Sequence, residues 1–148
     1  MASNILDIKA EILRLLGTVT LIALVEDEPA SAEEWLSGFK DAEGSMTPAV
    51  HVSYGKEQAI KTAYTCGDFH DTTSFRLTCV YASAEFNADE AVTLRDAILD
   101  TVCSEANQTL SGLADTVDAV GWGFSEQDGT AYTTFTLDLS VAHTWARA

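Results

Sequence analysis

Several things are scarce in this 148-residue chain, and each shortage excludes something. Lysine and arginine together number 8 against 23 aspartates and glutamates, a formal net charge of −15 at pH 7. The eight cations, Lys9, Arg14, Lys40, Lys56, Lys61, Arg76, Arg95 and Arg147, are scattered along the chain. Gripping a nucleic acid through its phosphates needs clustered cations, so that role is excluded. The three cysteines, Cys66, Cys79 and Cys103, are odd in number, far apart and free of any CxxC pair. Neither a disulfide framework nor a zinc ribbon fits that spacing, and Cys79 and Cys103 read as small core residues with reduced thiols. The longest strongly apolar run, Val19 to Val25, is too short for a bilayer, and the amino terminus lacks the basic start and cleavage site of a signal peptide. A soluble protein with no membrane partner is expected. Only two prolines and no low-complexity tract occur, which excludes a disordered tail.

What is present suits one packed domain over 1–148: hydrophobic residues make up 47% of the chain, enough for a core without staples. Ser3 is placed to cap a helix carrying Ile5, Ile8, Ile12, Leu15 and Leu16 at three- and four-residue steps, with Gly17 as its stop. Thr18–Val25 is rich in β-branched residues and predicts a strand, ended by Glu26, Asp27, Glu28 and Pro29. Ser31 and Glu34 have capping-box spacing before a short helix with Trp35, Leu36 and Phe39, and 40–47 reads as a loop. From Pro48, Val50, Val52 and Tyr54 alternate with Ala49, His51 and Ser53, a strand pattern interrupted at Gly55. A further strand is expected over 59–66, then a loop over 67–71, then a strand with Phe75, Leu77, Cys79 and Tyr81 on one face.

Asn87 and Glu90 open a second helix, expected from Asp89 to about Asn107, with an inward stripe of Ala91, Leu94, Ile98, Val102 and Ala106. Ser111, Gly112 and Asp115 form an exit loop. The chain closes with GWGFSEQDGTAYTTFTLDLSVAHTW. A two-residue turn at Asp128-Gly129 would pair Phe124 with Thr133, Trp122 with Phe135 and Val120 with Leu137, gathering the apolar residues of both arms on one buried face. The fold class is α+β: a mainly antiparallel sheet with two main helices packed on one face.

Chemistry-bearing groupings are few. Cys66, Asp68, His70 and Asp71 have metal-ligand chemistry, but a tetrahedral site draws ligands from more than one element and no second Cys or His cluster follows. No serine has a nucleophile context, and GWG completes neither glycine-rich phosphate motif. The acidic runs at Glu26–Glu28 and Glu33–Glu34 read as solvated loop and helix start. His51 and His143 stand on strands, as structural or interface residues. The sequence therefore supplies no catalytic, cofactor-binding or metal residue.

The order of elements resembles the tail terminator family of long-tailed bacteriophages, also called tail-completion or minor tail proteins. The residues that carry the likeness are ILDIKAEILRLL, TPAVHVSYG, FRLTCVYASAEFNADEAVTLRDAIL and the two-stranded ending. The acidic 26–47 segment has no counterpart in that pattern. The resemblance implies a structural virion protein, not an enzyme, with no cofactor. It implies a hexameric ring that caps the tail tube, ends its polymerisation and provides the head-joining surface. Its partners would be its own copies, the tail tube protein and a head-completion or neck protein. DNA would pass through without specific binding, past a repulsive acidic lining. The location would be the head-proximal end of the virion tail, after assembly in the host cytoplasm. A neck or head-completion connector is the alternative within the same biology, and a small metal-dependent enzyme using the Cys66–Asp71 loop is the alternative outside it. Trp35, Phe69, His70, His143 and Trp145 are the candidate subunit or tail-tube interface, because aromatics away from a core anchor interfaces.

Overall fold

In the computed structural model the residues described are 4–29, 48–55, 60–65, 68–81, 88–125 and 133–146. Eight elements follow in order: α1 (Ile5–Leu16), β1 (Leu24–Asp27), β2 (Ala49–Tyr54), β3 (Ile60–Thr65), β4 (Asp68–Tyr81), α2 (Ala88–Val102), β5 (Thr116–Ser125) and β6 (Thr133–Ala146). The strands form one sheet ordered β1-β2-β4-β6-β5, and β3 pairs with the amino-terminal half of β4. Every pairing is antiparallel except β1 with β2. This is the expected α+β architecture.

The two 14-residue strands β4 and β6 pair along their whole length and form the spine. Val50, Val52, Phe75, Leu77, Cys79, Phe135, Leu137, Leu139 and Val141 all point to one face of the sheet, as the register requires. There they meet Ile8, Ile12, Leu15 and Leu16 of α1 and Ala91, Leu94, Ile98 and Val102 of α2 in one core. The opposite face is polar at its centre, with Ser74, Arg76, Thr78, Thr136, Asp138 and Ser140. Arg76 and Asp138 form a two-bond ion pair across the spine at 2.8 and 3.1 Å.

α1 ends at Gly17 as expected. Its cap position is Asn4, and Ser3 lies outside the described residues. The expected strand at 18–25 does not form there. Successive turns carry the chain instead, with Thr18 N–H bonding Leu15 O, Val19 N–H bonding Leu16 O and Ile22 N–H bonding Val19 O. These turns bury Val19 and set Ile22 against the core, while Thr18 and Thr20 are exposed. The strand starts only at Leu24, after Ala23 N–H reaches Pro48 O at 2.8 Å, and it includes Glu26 and Asp27. Those two acids suit a short edge strand, which charge protects from stray pairing.

Asp68, Phe69, His70 and Asp71, expected in a loop, are the first four residues of β4. α2 stops at Val102, five residues before the expected end. Asn107 explains this: its Nδ2 donates to Thr101 O at 2.8 Å, and its own N–H bonds Ser104 Oγ and Ser104 O. That local bonding replaces the next helical turn, and Ala106 is exposed. Leu110, Ser111 and Gly112 then take positive φ values of 47°, 59° and 86° and turn the chain toward β5. Leu110 is fully buried, which holds a bulky residue in this unfavourable backbone region.

The closing hairpin forms with a different register. Trp122 faces Leu137 and Phe124 faces Phe135, two residues along from the expected pairs. A shift of two preserves the shared face. A bulge between Ala119 and Gly121 then changes the alternation, so that Val117 turns inward and Val120, expected on the buried face, is 62% exposed. The turn residues Asp128 and Gly129, the short helix expected at 31–39, the 40–47 loop, Asn87 and Cys66 lie outside the described residues.

Candidate functional site

At the end of the sheet where β4 begins and β6 ends, Phe69 lies opposite Trp145, His70 opposite Thr144 and Asp71 opposite His143. Four of the five interface candidates therefore come together; the fifth, Trp35, lies outside the described residues. Phe69 stacks on Trp145 with centroids 4.3 Å apart and planes 14° from parallel. Tyr64 of β3 tilts against the other side of Phe69 at 5.0 Å. This aromatic row lies on the same face as the core, beyond the end of its apolar part.

Beneath it lies a chain of polar contacts. Trp145 Nε1–H donates to Asp71 Oδ2 at 2.8 Å. Asp71 is 3% exposed, and its Oδ1 has no hydrogen-bond partner among the described residues. His143 is 1% exposed. Its Nδ1 lies 2.7 Å from Asn4 Oδ1 and its Nε2 lies 2.8 Å from Thr73 Oγ1. Asn4 Nδ2 donates to Leu113 O at 2.8 Å, so its Oδ1 is the atom that faces the histidine. That arrangement is satisfied by one tautomer: Nδ1–H donates to Asn4 and Nε2 accepts from the Thr73 hydroxyl. Burial holds the His143 pKa below its ordinary value, opposed by the negative charges of Asp71 and Asp115. A neutral imidazole with both nitrogens engaged joins α1, β4, β6 and the 110–115 turn. It has no open nitrogen for proton transfer to a substrate.

His70 points to the other face. Its Nδ1 lies 3.1 Å from Thr144 Oγ1, whose hydroxyl donates to Asp115 Oδ2 at 2.9 Å, so Nδ1–H is the donor to Thr144. Strand alternation thus separates the metal-ligand candidates, with Asp68 and His70 on one face and Asp71 on the other. Among the described residues no group of three or more His, Cys, Asp or Glu side chains could share a metal ion. Burial pushes the Cys79 thiol well above its ordinary range, and burial beside Asp118 raises Cys103, which leaves both unreactive at neutral pH. His51 is buried on β2, and desolvation lowers its pKa.

The sequence did not point to Asn4 and Thr73 as partners of His143, nor to Asp71 as its cross-strand neighbour. A helix-cap residue, a supposed loop acid and a strand threonine carry no shared motif. Only the β4–β6 register brings the last two beside it.

The cations show a second pattern. Lys9 pairs with Asp27, Arg14 with Glu11, Arg76 with Asp138 and Arg95 with Asp96. Lys9 also lies 5.0 Å from the centre of the Tyr54 ring, and Arg95 lies 5.3 Å from that of Trp122. Among the described residues, Lys61 on β3 is the cation outside an ion pair. No described helix is long and apolar enough to cross a membrane.

No family model matches the chain, and no curated protein matches it. Among solved structures it is similar to a chain of the virion of a native gene transfer agent particle. The two are 14% identical with a TM-score of 0.42, and the match covers 90% of this chain and 84% of the other. At that similarity neither a residue role nor a function follows from the likeness.

Proposed function

We propose that this chain is a structural protein of a phage-like virion. In this reading it assembles into a hexameric ring at the head-proximal end of the tail tube, ends tube polymerisation and offers the head its joining surface. The observation that carries the reading is how the described polar groups are used. The buried titratable side chains of the β4–β6 end are committed to joining elements of the fold, while apolar side chains remain exposed along both flanks of the sheet. Ile60 and Tyr64 on β3 are 43% and 52% exposed, and Val120 and Trp122 on β5 are 62% and 36% exposed. Such a molecule acts through its surfaces and not by turnover, and two unlike apolar flanks suit head-to-tail assembly, which closes into a ring when the rotation permits.

The charge distribution supports a channel for DNA. Four of the five described cations are paired with neighbouring carboxylates, and the chain as a whole carries a formal net charge of −15, which repels phosphate. The test is immunogold labelling, with an antibody against this chain, of particles purified from the cells that make it. Label at one point between head and tail supports the proposal. Label absent from intact particles that carry tails contradicts it.

A further inference from the structure

The sheet has two unprotected edges. β5 contributes ten residues at one flank, and β3 contributes six at the other, beside the first half of β4. Among the described residues no strand pairs with the outer side of either. The third edge strand, β1, is four residues long and ends in Glu26 and Asp27, the usual protection against pairing. β5 and β3 have little of that protection: each carries a single charged residue, Asp118 on β5 and Lys61 on β3. The two charges are opposite, both side chains are exposed, and neither forms an ion pair among the described residues.

Direction and face also agree. β3 and β6 both run antiparallel to β4, and β5 runs antiparallel to β6, so β3 and β5 point in opposite directions. An outer strand of one copy can therefore pair antiparallel with the other flank of a second copy while the sheet continues in the same sense. Lys61 shares a face with Thr72 of β4, and Asp118 shares that same face with Ser140 of β6. With Lys61 set opposite Asp118, Ile60 meets Ala119 and Thr62 meets Val117, all four on the other face, so the pleat is kept. The levels nearly match: Lys61 lies beside Thr72, and Asp118 reaches Ser74 through Ser140. The remaining stagger of two residues is of the kind a sheet needs to close on itself.

We infer that a second copy of this chain occupies the β5 edge, adding its β3 antiparallel with its Lys61 opposite Asp118, and that this pairing is the subunit joint. The inference rests on the ring reading and specifies its interface. The apolar residues beside the joint, Val120 on β5 and Ile60 on β3, then lose water on association.

The test uses the full chain and six variants: Lys61→Asp, Asp118→Lys, the double exchange, Lys61→Cys, Asp118→Cys, and the two cysteine substitutions together. Assembly is read by native mass spectrometry and electron microscopy. Each single reversal places like charges in the joint and is expected to weaken association at least tenfold, while the double exchange restores it. The cysteine pair is expected to cross-link neighbours into a ladder that ends at the closed ring under a short bifunctional thiol reagent. Either cysteine variant alone provides the background from Cys66, Cys79 and Cys103. A wild-type ring that both single reversals leave intact, with no ladder above background, overturns the joint and leaves the ring standing. Open filaments that single reversals abolish and the exchange restores support the joint and overturn the ring. A strict monomer, with no cross-linked ladder, overturns both.

Discussion

Asn4 and His143 are 139 residues apart in sequence and share a 2.7 Å hydrogen bond between Oδ1 and Nδ1. The cap residue of α1 does not use its side chain to cap its own helix. It ties the helix start to the end of β6, and through Nδ2 to the carbonyl of Leu113. Asn4→Ala leaves a buried imidazole N–H without an acceptor and should destabilise the fold by about 1–3 kcal/mol. Urea denaturation checks this, with Asn4→Asp as a companion that keeps an acceptor facing His143.

The same contact sets a pH dependence. Burial lowers the pKa of His143 from its ordinary 6.5, so the unfolded chain takes up the proton first as the pH falls. The stability this neutral histidine contributes is present above about pH 6.5 and declines as the pH drops towards the lowered folded value. His51, also lowered by burial, acts in the same direction. Asp27 and Glu11, held down mainly by hydrogen bonds from Lys9 and Arg14, respond only below the ordinary carboxylate range. Denaturation midpoints between pH 8 and pH 5 should fall for the wild type and fall less for His143→Gln.

Trp145 supplies the hydrogen bond that Asp71 accepts. Trp145→Phe retains an aromatic ring against Phe69 but leaves both oxygens of the buried Asp71 carboxylate without a partner among the described residues, at a cost of about 1–3 kcal/mol. In the background of Asp71→Asn the buried group is neutral, and the same substitution should cost less. A double-mutant cycle by urea denaturation measures that difference.

Gly55 N–H bonds Ser74 O at 2.8 Å, and a Cβ at Gly55 would lie 2.8 Å from Ser74 Cβ. Gly55→Ala should therefore destabilise by about 1–3 kcal/mol through overpacking. Ser74→Gly in the same chain should return most of it, which thermal unfolding of the two variants would show.

How much the sequence disclosed depends on how local the deciding interaction is. α1, its stop at Gly17, the strand after Pro48 and the inward stripe of α2 are set by spacing within each segment, and the structure has them. The start of β4 was hidden because Asp71 and Thr73, polar residues, occupy inward positions made acceptable by hydrogen bonds with Trp145 and His143 of β6. The end of α2 was hidden because Ala106 continues the apolar pattern, whereas the side chain of Asn107 turns the chain. In the closing hairpin, alternation fixed the face of Trp122 but not the bulge at Val120, which changes parity without changing composition. At the candidate site, Phe69, His70, His143 and Trp145 were each visible as residue types out of place. Their meeting at one end of the sheet was not, because it requires the full β4–β6 register.

On the proposed reading, this chain works as a closed assembly of its own copies. Native mass spectrometry of the purified protein over a range of concentrations tests it most directly. The expected result is one dominant closed species of six chains, each of 15.9 kDa, that electron microscopy shows as a ring with an open centre. A single species of 15.9 kDa at every concentration would contradict it.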